Sequence, residues 1–215
     1  MARNQKPIVG YLRHTRDGLI GETGLGYSYL LASNGLFIRA ENALLRATIQ
    51  VAPAEVRGLA PLTESLELVH GRIPWSLVEA TTNLYGLDHE LYMAVAWQAG
   101  AYQRVVPSQT GSPASVQYQR PRGVLLDVHT HGSMGAFFSS TDDADEQGFQ
   151  LYAVLGRLDL PVREVGLRLG VHGYFAPLDW GEVFDRPPPL WLQVVTGRPT
   201  FVGGEARVPP DGGNR

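Results

Sequence analysis

The sequence predicts an α/β (α+β) fold: a mixed β-sheet flanked by helices, with a small β-rich extension at the N-terminus. Three observations lead there. Residues 7–52 read as short apolar runs broken by Gly and Asn turns, a strand-and-hairpin pattern. From residue 66 onward, aliphatic and β-branched runs alternate with two stretches that carry helix start signals. The chain has 215 residues, 44% of them apolar, enough for one domain with a real core and a small appendage.

In chain order, "YSYLLASNGLFIRAEN" (27–42) holds two apolar runs around "SNG", a hairpin, and "ALLRATIQVA" (43–52) follows as a strand. "PAEVRGLAPLTES" (53–65), with two prolines and a glycine, reads as the join between an N-terminal β-rich region, 1–65, and a main domain, 66–200. A short strand opens that domain. A helix is expected to start at Pro74, with Trp75, Val78, Thr82 and Tyr85 on one face and Gly86 ending it. "HELYMAVAWQAG" (89–100) reads as a buried strand, and "AYQRVVPSQTGSPASVQYQ" (101–119) as a hairpin with a loose tip at "SQTGSP". "GVLLDVHTH" (123–131) is a strand. "TDDADEQGFQLYAVLGRL" (141–158), acidic first and apolar later, predicts the second helix. "EVGLRLGVH" (164–172) alternates, with Val165, Leu167, Leu169 and Val171 on one face, and "LWLQVVT" (190–196) is a last strand. "DRPPPL" (185–190) reads as a rigid connection, and the tail 201–215 is expected to be mobile.

Composition narrows the function. The formal charge of −3 argues against nucleic acid as a partner. Without cysteine, any metal must be held by His, Asp or Glu. No secretory signal and no bilayer-length apolar window are visible, so a soluble cytoplasmic protein without a membrane partner is expected.

The chemistry centres on "HTHGSMGAFFSSTDD" (129–143). Side chains at i and i+2 of a strand point the same way, so His129 and His131 project together from a strand end. Two imidazoles on one face can supply two zinc ligands. Asp142 is the third candidate, because the Gly-containing loop "GSMGAFF" can fold back. Two His and one carboxylate leave a fourth position for water, the arrangement of a catalytic zinc. Such a water still needs a base outside the ligand set. Glu90, leading the apolar strand "ELYMAVAW", is the candidate, and Ser139 the candidate hydrogen-bond donor to a developing oxyanion. The plainer readings stay open here. A lone His-x-His is weak evidence, "SSTDDADE" is also an ordinary helix start in which Ser139 caps, and Glu90 suits a solvated strand end. An acid in the first helical turn can cap and bind metal through different oxygens. Asp127 shares the parity of the histidines and could orient an imidazole. Asp143 and Asp145 read as helix N-terminal acids, His172 as more structural than catalytic, and His14, His70 and His89 are not assigned as ligands.

His129-Thr130-His131, seven residues, Ser139, two residues, Asp142, with Glu90 upstream after the first expected helix, resembles the signature of the JAMM metalloproteases, also called the MPN or JAB domain. The resemblance covers most of the chain after residue 65. It implies one Zn2+ per chain on His129, His131 and Asp142, with Glu90 as base and Ser139 as stabiliser. It also implies hydrolysis of a peptide or isopeptide bond, often after the C-terminal tail of ubiquitin or a ubiquitin-like protein. Many members have Pro after the second His where this chain has Gly132, which leaves the loop less restrained. The N-terminal region, with "NGLFIRAENALLRATIQVAPAEVRGLAPL", is similar to a component of the bacterial PRTRC cassette. That cassette also encodes a ubiquitin-like protein and a relative of the ubiquitin-activating enzymes, which implies both as partners. Some members of the fold lack a complete site and serve as scaffolds. The alternatives are therefore a non-catalytic binding module and a metal hydrolase of a small molecule.

Overall fold

A computed structural model describes residues 6–82, 90–112 and 115–195. The chain runs β1 (Val9–Thr15), β2 (Gly18–Glu22), β3 (Tyr27–Ala32), β4 (Gly35–Glu41), β5 (Leu45–Pro53), β6 (Ser65–Leu68) and α1 (Ser76–Thr82). It continues with β7 (Tyr92–Gln98), β8 (Ala101–Val105), β9 (Gln109–Ser112), β10 (Ser115–Tyr118), β11 (Val124–Thr130) and α2 (Ser140–Asp145). It closes with β12 (Phe149–Gly156), β13 (Arg163–Val171), β14 (Tyr174–Pro177), α3 (Trp180–Val183) and β15 (Leu192–Val194).

This architecture corrects the expected α/β fold. Strands hold 49% and helices 9% of the described residues, the helices are three short ones, and they do not flank the sheets. The largest difference lies in 141–158. Only Ser140–Asp145 is helical, and Phe149–Gly156 is a strand. The apolar run "FQLYAVLG" was read as the buried part of a helix, and such a run serves a buried strand equally well. Its residues from Gln150 to Gly156 are all buried. Both faces are covered, so every position must be apolar or satisfied and no polar stripe remains for a helix to expose. Gln147 and Gly148 break the backbone between the two elements. The expected first helix is present as α1, and its proposed end at Tyr85 and Gly86 lies outside the described residues. His89 and the tail 201–215 lie outside them as well.

Six strands form one mixed sheet in the order β2-β1-β3-β4-β5-β6, with β1 and β3 parallel. The expected hairpin at "SNG" is the β3–β4 pair, joined through Ser33 and Asn34. Within the 53–65 stretch, residues 54–64 form a loop between β5 and β6 that returns the chain to this sheet, because β6 pairs with β5. A second mixed sheet runs β14-β13-β12-β11-β7-β8, with β15 on β13. The hairpin read across 101–119 is re-paired: β8 joins β7, while β9 and β10 form a separate two-stranded hairpin. The expected loose tip "SQTGSP" (108–113) is largely strand β9, Gln109–Ser112, and its last residue, 113, lies outside the described residues.

The two large sheets share a core. Ile38, Leu45 and Ile49 of the first sheet belong to one buried cluster with Met93, Val95, Leu126, Leu151, Leu167 and Leu169 of the second. Trp75, Trp180 and Phe184 pack edge to face at one side of it. A smaller cluster of Leu12, Leu30, Ala32 and Phe37 holds the other side of the first sheet. Among the described residues, no helix is long and apolar enough to cross a membrane.

Strand β11 sets the stage for the site. It lies between β7, antiparallel, and β12, parallel, and the β11–β12 crossover is made by a loop and α2. A parallel connection must carry the chain back to the starting end, and here that return is made over the C-terminal end of β11.

Candidate metal centre

His129 is the penultimate residue of β11, opposite Tyr92 on β7 and Val154 on β12. His131 follows the strand directly, and its N–H donates to the Leu155 carbonyl at 2.8 Å, which extends the ladder with β12. Strand alternation therefore aims both rings the same way. Their Nε2 atoms are 3.2 Å apart.

The loop after His131 is tied down. The Leu158 N–H donates to the Gly132 carbonyl at 2.8 Å, the Arg157 N–H to Met134 at 2.7 Å, and Ala136 N–H to the Glu164 carboxylate at 3.0 Å. Gly132 has φ +55°, a left-handed conformation that proline cannot adopt. The glycine is thus what this loop path requires, and hydrogen bonds rather than a stiff residue restrain it. The loop also crosses close over β12: a Cβ on Gly156 would lie 2.4 Å from the Ala136 nitrogen.

The loop delivers Ser139 and Asp142 to the start of α2. Ser139 is the N-cap. Its Oγ accepts from the Asp142 N–H at 3.2 Å, and Asp142 Oδ2 accepts from the Ser139 N–H at 2.6 Å, which closes a capping box. The other oxygen, Oδ1, lies 3.2 Å from His129 Nε2. Asp142 thus caps with one oxygen and faces the imidazoles with the other.

These three residues are the group of metal-capable ligands among the described residues, with all donor atoms within 4.8 Å of one another. Zinc bonds of about 2.0–2.1 Å at a tetrahedral angle place neighbouring donors about 3.3 Å apart. The two measured separations of 3.2 Å fit that edge. His131 Nδ1 lies 3.3 Å from the Gly135 carbonyl, which suits a proton on Nδ1 and leaves Nε2 an acceptor; a single proton on His129 Nε2 would then face two acceptor atoms, His131 Nε2 and Asp142 Oδ1. A cation satisfies all three donors together, and a set of two imidazoles and one carboxylate suits zinc.

Electrostatics favour the ligand forms. Burial lowers the proton affinity of His131, the charge of His129 pushes the same way, and Asp142 and the Gly135 carbonyl oppose it, so the net direction favours the neutral, ligating ring. Burial pushes the Asp142 carboxyl up, but its contacts with His129 and Ser139 outweigh that and hold it below the usual carboxylate range.

Glu90 lies beside this group. The Thr130 N–H donates to the Leu91 carbonyl at 3.0 Å, and the Leu91 N–H to Thr130 Oγ1 at 2.9 Å. With Tyr92 opposite His129, the ladder places Glu90 across from His131. Glu90 is half-buried. Burial raises its proton affinity, the charge of His129 lowers it, and that of Asp142 raises it. A half-buried carboxyl whose proton affinity is raised by burial is suited to accepting a proton. Ser139 accepts with its oxygen, which leaves its hydrogen free to be donated.

Asp127 does not orient an imidazole. It is 7% exposed and its oxygens are taken by the Tyr92 hydroxyl, by Arg120 Nη2 at 2.9 Å and by the Gln150 amide. It braces β7, β11 and β12 below the site. His172 lies away from the centre, stacked on Tyr27 with ring centroids 4.6 Å apart. His70 stacks on Trp97 at 3.9 Å. Asp143, expected as a helix acid, is in the first turn of α2 and also binds Arg168 at 2.5 Å.

Two residues next to the site were not anticipated from the sequence. Glu146, at the end of α2, places Oε1 3.9 Å from His129 Nδ1. Arg168, on β13, donates to Glu146 Oε2 from Nε at 2.9 Å and from Nη2 at 2.6 Å. Burial pushes the Glu146 carboxyl up to about 7, against the opposing pull of Arg168 and His129. A signal for both was present. Arg168 stands inside the apolar run "GLRLGV" and must find a counter-charge, and Glu146 follows Asp142 at i+4, on the same helix face. No protein-family model matches the chain, and no curated protein sequence matches it.

Proposed function

We propose that this protein is a zinc-dependent hydrolase of the JAMM type that cleaves a peptide or isopeptide bond at an extended tail, with the C-terminal tail of a ubiquitin-like protein as the substrate class. The observation that carries this reading is the convergence of His129, His131 and Asp142, with donor atoms within 4.8 Å of one another and His129 Nε2 at 3.2 Å from both His131 Nε2 and Asp142 Oδ1, with half-buried Glu90 across from His131.

Zinc held by these residues supplies Lewis acidity and makes water a usable nucleophile near neutral pH. Glu90 takes the proton from the attacking water and hands it to the leaving amine. Ser139 Oγ donates to the oxygen that gains negative charge. Asp142, fixed by its capping box, keeps the ligand set in register with the helix start.

The hairpin of β9 and β10 supports an extended substrate. It forms its own two-stranded sheet, so among the described residues its outer edges lack strand partners. It is anchored next to the site by Gln109, whose side chain accepts from the Tyr92 N–H at 2.7 Å and donates to the Tyr92 carbonyl at 3.0 Å. An extended peptide can add to such an edge through its main chain, whereas a small molecule has no use for it.

The test measures zinc per chain in purified protein and cleavage of a ubiquitin-like tail fused to a reporter. The reading expects about one zinc per chain and cleavage that a chelator abolishes and zinc restores. Bound zinc without cleavage of any tail, in either fusion or isopeptide form, would refute the protease reading.

A further inference from the structure

We propose that Glu146, locked by Arg168, is a positioning residue that fixes the ring orientation and tautomer of His129. This inference rests on the metal-centre reading above and assigns one further part of it.

The two ring nitrogens of His129 face different partners. Nε2 faces His131 and Asp142, so the cation side of the ring is Nε2. A neutral imidazole that ligates through Nε2 carries its proton on Nδ1. The His129 side chain is 12% exposed, so this N–H has little access to bulk solvent and calls for an acceptor within the protein. The carboxylate oxygen facing it is Glu146 Oε1, at 3.9 Å. That gap is about 1 Å longer than a direct hydrogen bond. One bridging water, or a small rotation of either side chain, spans it.

Glu146 is itself held in place. Both hydrogen bonds from Arg168 fall on Oε2, which leaves Oε1 for the ring. Arg168 is buried, with its side chain 8% exposed, and its guanidinium lies between the rings of Phe138 and Phe175, 3.9 and 3.8 Å from their centroids. It also binds Asp143. One arginine on β13 therefore clamps both ends of α2, the helix that begins with the Asp142 capping box, and aims Glu146 at the far side of the His129 ring. A carboxylate behind a ligating imidazole holds the tautomer and raises the basicity of the ligand.

A merely structural Glu146 would be a counter-ion for Arg168. The two roles separate in Glu146→Gln. The amide oxygen can still accept from Arg168, but the NH2 then faces Nδ1 and favours the wrong tautomer. The experiment titrates zinc alone into the full chain against a competing chelator, for the parent, for Glu146→Gln and for Asp145→Asn, a charge-matched control on an exposed residue of the same helix. The inference expects a 10–100-fold loss of zinc affinity in Glu146→Gln, with Asp145→Asn within about 2-fold of the parent. Glu146→Gln within about 2-fold of the parent overturns it, while a parent that binds no zinc overturns the metal-centre reading itself. A measurement that needs no variant guards against a folding defect: nitrogen-detected NMR of the His129 ring in zinc-loaded parent. The inference expects Nδ1 to be protonated, with a slowly exchanging proton; an unprotonated or rapidly exchanging Nδ1 contradicts it.

Discussion

The two large sheets bury different kinds of atoms. In the first, the buried polar residues are two hydroxyls, Ser28 and Thr48. In the second they are Asp127, Thr130, His131, Gln150, Arg163 and Arg168, four of which are titratable or charged. Burying a charge costs several kcal/mol unless it is paired and hydrogen-bonded. The first sheet avoids that cost and presents Ile38, Leu45 and Ile49 as a plain packing surface. The second spends its stability on ordered polar groups, among them Thr130 and His131 at the C-terminal end of β11 and Asp127, bonded to Gln150, farther down the same strand. The difference marks a division of labour: the first sheet supports the fold, and the second carries the candidate site.

The same contrast appears in how aromatic residues are used. At the boundary between the sheets Tyr27 stacks on His172, and the Tyr29 and Tyr174 hydroxyls lie 3.0 Å apart. These contacts fasten one layer to the other. Beside the metal centre, Phe138 and Phe175 instead sandwich the Arg168 cation, a contact worth about 0.5–2 kcal/mol. There the rings insulate a charge pair from water.

Substitutions test this division, beginning with the largest effect. His129→Ala is expected to abolish stoichiometric zinc and all cleavage while far-UV circular dichroism stays that of the parent; retained zinc would remove His129 from the ligand set. Glu90→Gln is expected to keep its zinc and lower kcat by about 10²–10⁴-fold. Activity equal to the parent would end the assignment of the base. Phe37→Ala, at a position 1% exposed in the first sheet, is expected to cost about 3–5 kcal/mol in chemical denaturation. Zinc affinity of its folded fraction should match the parent, and a large change there would break the separation between support and chemistry.

Ser139→Ala removes the side-chain half of the capping box and is expected to cost about 1 kcal/mol of stability. It should also weaken zinc binding several-fold, because the box orients Asp142; unchanged affinity would show that Asp142 is held by other means. The smallest effect concerns acid. Burial lowers the proton affinity of His172, so the folded state favours its neutral form. Its contribution to stability is present above the ordinary histidine value of about 6.5 and is lost as the pH falls below it. The Tm of the parent should therefore fall more between pH 7 and pH 5 than that of His172→Asn, a residue that tolerates the left-handed backbone found there, φ +49°. Parallel curves for the two proteins would contradict this.

Local signals were readable where one residue type answers one local demand. The "SNG" turn marked the β3–β4 hairpin, and the i, i+2 spacing of His129 and His131 fixed a shared direction without any knowledge of the sheet. The capping chemistry of Ser139 and Asp142 was local too. What could not be read depended on partners distant in the chain. Whether "FQLYAVLG" forms helix or strand is decided by cover on both faces, from β11 and β13 as neighbours and the core beneath. The run 101–119 divides for a local reason instead: Ala99 and Gly100, both at positive φ, turn β7 into β8, and β9 is left to pair with β10. Arg168 and Glu146 are 22 residues apart, and only the folded sheet brings them together behind His129.

The central claim is that His129, His131 and Asp142 hold one zinc with a position left open. X-ray absorption at the zinc edge of the loaded parent tests it most directly. The expected result is one tightly held zinc with two imidazole nitrogens and light oxygen ligands at about 2.0–2.1 Å in four-coordinate geometry. A six-coordinate, all-oxygen shell without imidazole scattering, or zinc that washes away on desalting, would contradict it.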